Sequence, residues 1–163
     1  MKNFQNIEIC KECGGKCCKR LPGSTLPEDF GEPMLENIRK AIDSGKWAVD
    51  WWDGDPTGKT DLRCAYFIRP KTKEFSGVYD PSCGGECIFL TESGCQLQKD
   101  ERPTECRLLE PKKDGYCKQH GGGKRGAAVA WIPFQDLIHM ATGETWRNNN
   151  VHFVLNKQNK ENG

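Results

Sequence analysis

No run of this chain is apolar for long enough to cross a bilayer, and only 36% of its 163 residues are hydrophobic. Neither sign of charge is in excess. Lys+Arg number 24 and Asp+Glu 23, a net charge of +1, so no global field recruits nucleic acid or an anionic membrane. Histidine is scarce, with His120, His139 and His152 the whole supply, and none of them forms a credible dyad with a cysteine. No Ser/His/Asp set and no paired carboxylates stand out, so the sequence names no catalytic machinery and leaves open whether the protein is an enzyme. Met1 to Ile9 lacks a continuous apolar stretch of the kind secretory leaders carry, and a cytoplasmic location is the expectation. There is no internal repeat and no composition shift of the kind a linker makes. One domain over residues 1–147 with a polar, Asn- and Lys-rich tail over 148–163 is expected.

Cysteine, by contrast, is abundant: ten in all. Four lie in the opening run Cys10-Lys-Glu-Cys13-Gly-Gly-Lys-Cys17-Cys18, and Cys87, Cys95, Cys106 and Cys117 make up most of a second block. A lone C-x-x-C means little. A C-x-x-C followed by a vicinal pair and then by a second Cys-rich block points to a thiolate-bound metal. Thiolates select zinc, iron–sulfur clusters or copper(I) over oxygen-loving cations. In a reducing cytosol ten cysteines favour metal over disulfides, although the even count also permits five disulfides in a secreted protein. Gly14 and Gly15 let the backbone turn so that the first thiols converge. Adjacent cysteines diverge by about 100° on a helix, so Cys17 and Cys18 are awkward partners for one tetrahedral ion; one ligates while the other packs, or each serves a different metal. Lys11, Lys16, Lys19 and Arg20 flank this block and are expected to lower the thiol pKa values.

The second block reads Gly85-Glu-Cys87-Ile-Phe-Leu90, Gly94-Cys95-Gln-Leu97 and Arg102-Pro103-Thr-Glu-Cys106-Arg107. Together with the first it resembles the YkgJ-type cysteine-cluster family of zinc- or iron-chelating domains. That family joins a C-x-x-C-x-x-C-C-like motif to later C-x-F-L, G-C-x-[IL] and R-P-x-x-C-R elements. The resemblance covers residues 10–18 and 85–111. It departs where three residues, not two, separate Cys13 from Cys17, and where Gln98 follows Leu97 in place of the frequent aromatic. It implies ligand roles for Cys10, Cys13, Cys17, Cys18, Cys87, Cys95 and Cys106. Cys117 lies outside the motif but follows Cys106 at the interval that separates Cys106 from Cys95. Eight thiols suffice for two four-ligand sites, or for one cluster plus one zinc. Zinc and iron, including iron–sulfur, both remain open. Cys64 sits in a strand-like run and reads as core, and Cys83 is evenly balanced.

The expected fold is α+β: a small, irregular, metal-nucleated domain with two or three helices and a small antiparallel sheet. A helix capped at Ser24 or Thr25, with Pro27 in its first turn, carries Met34, Leu35, Ile38, Ala41 and Ile42 and stops at Gly45. Trp47–Trp52 and Leu62–Ile68 read as strands, and Phe75–Tyr79 as a third. Pro103 begins a short helix bearing Cys106 and Leu109, and Ala127–Met140 is a helix kinked or started at Pro133. Gly54-Asp-Pro-Thr-Gly58-Lys59-Thr60 is one residue short of a phosphate loop and reads as a turn. Gly121–Gly123 reads as a flexible connector or, less simply, an anion nest. The Trp47, Trp51 and Trp52 rings read as core rather than a platform for bases, and His120 is a weak further candidate ligand.

Overall fold

The computed structural model describes residues 4–80, 82 and 84–143. Cys83, His152 and the polar tail lie outside the described residues. The architecture is α+β, as expected, although its sheets are smaller and its helices more numerous than anticipated.

The chain has two differently built halves. In the first, strand β1 (Trp47–Asp53) pairs antiparallel with β2 (Cys64–Pro70), setting Trp47 opposite Pro70 and Asp53 opposite Cys64. β2 therefore starts two residues later than the apolar pattern suggested. The turn between them closes on Asp55, whose carboxylate accepts hydrogen bonds from the amides of Thr57, Lys59 and Thr60 (2.8, 3.0 and 2.6 Å) and from both threonine hydroxyls. The phosphate-loop-like segment thus binds an anion of its own. The expected third strand at 75–79 is reduced to a single parallel bridge between Val49 and Tyr79. Gly77 supplies no side chain to pack there.

Helix α3 (Leu35–Asp43) begins at Met34 and ends where Gly45, at φ 75°, donates its amide to the Ile42 carbonyl at 3.1 Å. Its start falls well after Thr25, which is buried and bonds the Ile68 carbonyl at 2.6 Å, while Pro27 heads a separate 3₁₀ turn. Ile38 and Ile42, one turn apart, face inward. Helix α5 (Gly123–Trp131) starts four residues before the expected Ala127, passes through a 3₁₀ turn at Ile132–Phe134, and resumes over 135–143. Pro133, lacking an amide proton, tightens the path there. The core joins Ile38, Val49, Phe67, Ile68, Trp131 and Ile138, with Trp47 and Trp52 packed at its edge. Trp131 also donates its indole N–H to the Thr25 carbonyl at 3.0 Å. Burying each such side chain contributes roughly 1.5–3 kcal/mol. Beside this core Arg69 is 1% exposed and bridges Asp50 (2.7 Å) and Asp80 (3.2 Å).

The second half has little core. Helices α1 (Ile7–Cys13), α2 (Lys16–Arg20) and α4 (Thr104–Arg107) are short, and the strand pairs β3–β4 (Leu90–Thr91, Gly94–Cys95) and β5–β6 (Leu109–Glu110, Lys118–Gln119) are two residues per strand. Leu109, expected on the helix with Cys106, falls instead in β5. Among the described residues, Cys87, Phe89 and Leu90 form its buried apolar cluster. This half is joined to the first by an antiparallel bridge between Thr72 and Cys87 and by the Trp47 and Phe89 rings, 5.3 Å apart. Among the described residues, no helix is long and apolar enough to cross a membrane.

Candidate metal centre

Local rules position the first thiols. Asn6 caps α1 by accepting from the amides of Glu8 and Ile9, and Cys10 and Cys13 then lie one turn apart on the same side. Gly14 and Gly15 both take positive φ (69° and 70°), which reverses the chain within two residues and starts α2. The extra residue between Cys13 and Cys17 is therefore absorbed in a turn that only glycine enters easily. α2 presents Cys17 and Cys18, whose sulfurs lie 3.9 Å apart. A tetrahedral site with metal–sulfur bonds of 2.3 Å has sulfur–sulfur edges of about 3.8 Å. The spacing of the two sulfurs is thus close to such an edge, and the choice between one shared ion and one ion each rests on which other thiols surround them.

The second block is carried to the first by backbone pairing. The Cys87 amide donates to the Cys18 carbonyl and the Gly85 amide to the Arg20 carbonyl, both at 2.7 Å. Leu90 pairs with Cys95 across β3–β4. The N-terminus reaches α4, where Gln5 Nε2 donates to the Cys106 carbonyl at 2.7 Å and the Phe4 amide to the Arg107 carbonyl at 3.0 Å. α4 is anchored from the far side by Asp29, which accepts from the Thr104 amide and hydroxyl and from Arg107. The Cys106 sulfur rests against the backbone at Gly23, where a Cβ would fall 2.2 Å from it.

The outcome is one cavity of about 230 Å³ whose wall includes all eight candidate ligands: Cys10, Cys13, Cys17, Cys18, Cys87, Cys95, Cys106 and Cys117. The rest of the wall is mostly apolar, from Leu21, Phe89, Leu90, Leu97 and Leu109, with Arg102 and Glu105 as buried charges. The nine described cysteines are all free thiols. Among the described residues, no three His, Cys, Asp or Glu side chains are gathered tightly enough around one point to hold an ion. The thiols are spread around a hollow.

Burial governs their acidity. It pushes the Cys10 thiol up to about 11, with Cys17 and Cys13 adding to the rise and Arg102 opposing it. It pushes Cys87 up to about 11 as well, and raises Cys106 and Cys117. Within the vicinal pair the two thiols share a hydrogen bond. That hydrogen bond, outweighing burial, brings Cys17 down to about 6 and raises Cys18. The flanking Lys11, Lys16, Lys19 and Arg20 do not bring about the expected general lowering, because their charged ends sit in water. The cation that faces the thiols is Arg102, 9% exposed, held by the Leu97 carbonyl at 3.1 Å and by Gln5 Oε1 at 2.7 Å. Sequence reasoning passed over it. Its signal was the Arg-Pro pair just ahead of Cys106.

The remaining candidates lie elsewhere. Cys64 opens β2 beside Tyr66, outside the cavity wall. His120 stacks on Phe4 (centroids 3.8 Å) and pairs with Glu110 at 2.7 Å, also outside the wall. The Gly121–Gly123 segment does bind an anion, but an internal one: the Gly123 amide donates to Glu105 Oε2 at 2.8 Å. No family model, curated protein or solved structure matches this chain.

Proposed function

We propose that this is a cytoplasmic metal-binding cysteine-cluster protein that coordinates zinc or iron through its two Cys blocks, the metal chiefly holding the thiol-rich half together. One observation carries the reading: eight thiols, spread from Cys10 to Cys117, line a single cavity. Soft sulfur donors fit zinc, iron–sulfur or copper(I). The Cys106 sulfur seated in a notch that only glycine leaves open, and the buried Arg102 facing several thiols, fit a site that holds thiolates. Burial keeps most of these thiols protonated, and a bound cation supplies the charge that lets them ionise.

The size of the cavity favours a second reading, an iron–sulfur or iron-dependent oxidoreductase or electron carrier. A site for one water needs only about 10–15 Å³ of such volume. A hollow of about 230 Å³ with dispersed thiols has room for more than a lone ion. Zinc would contribute cross-linking alone; an iron–sulfur cluster would also supply one-electron transfer.

Protein purified without air, with zinc and iron present during expression, decides between them. Stoichiometric zinc without colour supports the structural reading. Iron, acid-labile sulfide and a broad visible absorption support the second. A folded protein that carries no metal while its thiols titrate as free would end both.

A further inference from the structure

We infer that the eight thiols form two four-thiolate centres abutting at the vicinal pair, with Cys10, Cys13, Cys17 and Cys117 holding one and Cys18, Cys87, Cys95 and Cys106 the other. The inference rests on the metal-binding reading above and deepens it by dividing the ligands.

The division follows from which thiols neighbour which. Cys87 is buried in the small apolar cluster with Phe89 and Leu90, and Cys18 and Cys95 pack directly against it. The Cys87 amide bonds the Cys18 carbonyl, and Cys95 lies across β3–β4 from Leu90, whose own amide bonds the Cys87 carbonyl at 3.0 Å. Cys106 lies within charge range of Cys87, Cys95 and Cys18. Those four thiols share one end of the cavity.

The other four share the opposite end. Cys13 donates its thiol to the Cys10 carbonyl at 3.4 Å, so both side chains emerge from the same turn of α1. Cys117 lies within charge range of Cys17, Cys13 and Cys10. Apart from their contact with each other, Cys17 and Cys18 are thus surrounded by different cysteines, although Cys17 also senses Cys106 where the groups meet. A single ion held by both vicinal thiols would complete its shell from one end and leave unmatched thiols at the other. Dividing the pair leaves four donors at each end, the count that zinc and cubane iron–sulfur sites both take. The 3.9 Å between the two sulfurs is then the separation of neighbouring centres at their point of contact.

Two features serve both centres. Arg102 faces Cys10 of the first and Cys106 of the second, so its one charge offsets thiolates on either side. α2 carries a ligand for each, Cys17 for the first and Cys18 for the second.

The test measures metal per chain, by elemental analysis and native mass spectrometry, on anaerobically purified wild type, Cys117→Ser and Cys95→Ser. Wild type should carry two inorganic groups. Each single variant should keep half of the wild-type metal, and the double variant none. Full retention in either variant, or complete loss from one that keeps its circular dichroism, overturns the division. Should a variant unfold, the native mass of wild type decides: two groups uphold the division and one overturns it. Wild type with no metal at all overturns the metal reading itself, a different result from either.

Discussion

The half built on β1, β2, α3 and α5 buries Phe67, Ile68, Ile38 and Trp131 completely, whereas the half built on α1, α2, α4 and two short hairpins has a small apolar cluster at Cys87, Phe89 and Leu90 and surrounds a hollow. The first half has what a small domain needs to fold unaided. The second has helices of four to seven residues, shorter than can persist in water without tertiary support. The contrast assigns the structural work of the proposed metal to the thiol-rich half.

Stripping the proposed metal should produce the largest effect. Structural zinc in small peptides contributes an apparent roughly 10–16 kcal/mol. Chelation is therefore expected to release α1, α2 and the Cys87–Cys117 hairpins while β1, β2 and α5 persist. Trp47, Trp51, Trp52 and Trp131 sit in or beside the apolar half, so in a Trp146→Phe background tryptophan emission reports on it, while amide exchange at residues 7–20 reports on the other. Emission that shifts to the red in step with exchange would show that the halves do not separate.

The converse experiment strikes the apolar half. Arg69→Met leaves Asp50 and Asp80 buried without their guanidinium, and breaking a buried pair costs roughly 3–5 kcal/mol. The melting temperature of this half should fall well below that of wild type. An unchanged melting temperature would mean that Lys124, 3.5 Å from Asp50, replaces the lost charge.

Acid should act through the same network. Burial alone would raise the Asp80 carboxyl, but hydrogen bonds from Ser82 and the charge of Arg69 hold it below its usual value. A carboxyl lowered on folding contributes stability that is present above the unfolded pKa of about 3.9 and is lost as pH falls through the folded value. Denaturation curves collected below pH about 4 should show this loss in wild type. It should be smaller in Asp80→Asn, already weaker at neutral pH; parallel curves would remove Asp80 from the account.

Cys64→Ala should do least. The residue is half-buried at the start of β2 and away from the cavity, so a cost of about 1 kcal/mol or less and unchanged metal content are expected. A lost metal equivalent would make Cys64 a ligand and blur the boundary between the halves.

The motif spacing alone pointed to the thiols that line the cavity, because soft donors at short intervals are a chemical signature that survives without coordinates. Periodicity likewise placed β1, β2 and the Ile38–Ile42 face, since alternation and helical repeats are local properties. The starts of α3 and α5 were missed because tertiary bonds override local capping: Thr25 bonds Ile68 rather than a helix, and the Gly123 amide takes Glu105. Which cysteines neighbour one another is also non-local. It depends on the Cys18–Cys87 backbone bond, on α4 being tied to Asp29 and to the N-terminal Gln5, and on Gly23 leaving space for the Cys106 sulfur. Residue type and interval singled out the thiols. The grouping of the thiols, and the cation set among them, came from contacts between segments as far apart in the chain as Gln5 and Cys106 or Phe4 and Arg107, which no local pattern encodes.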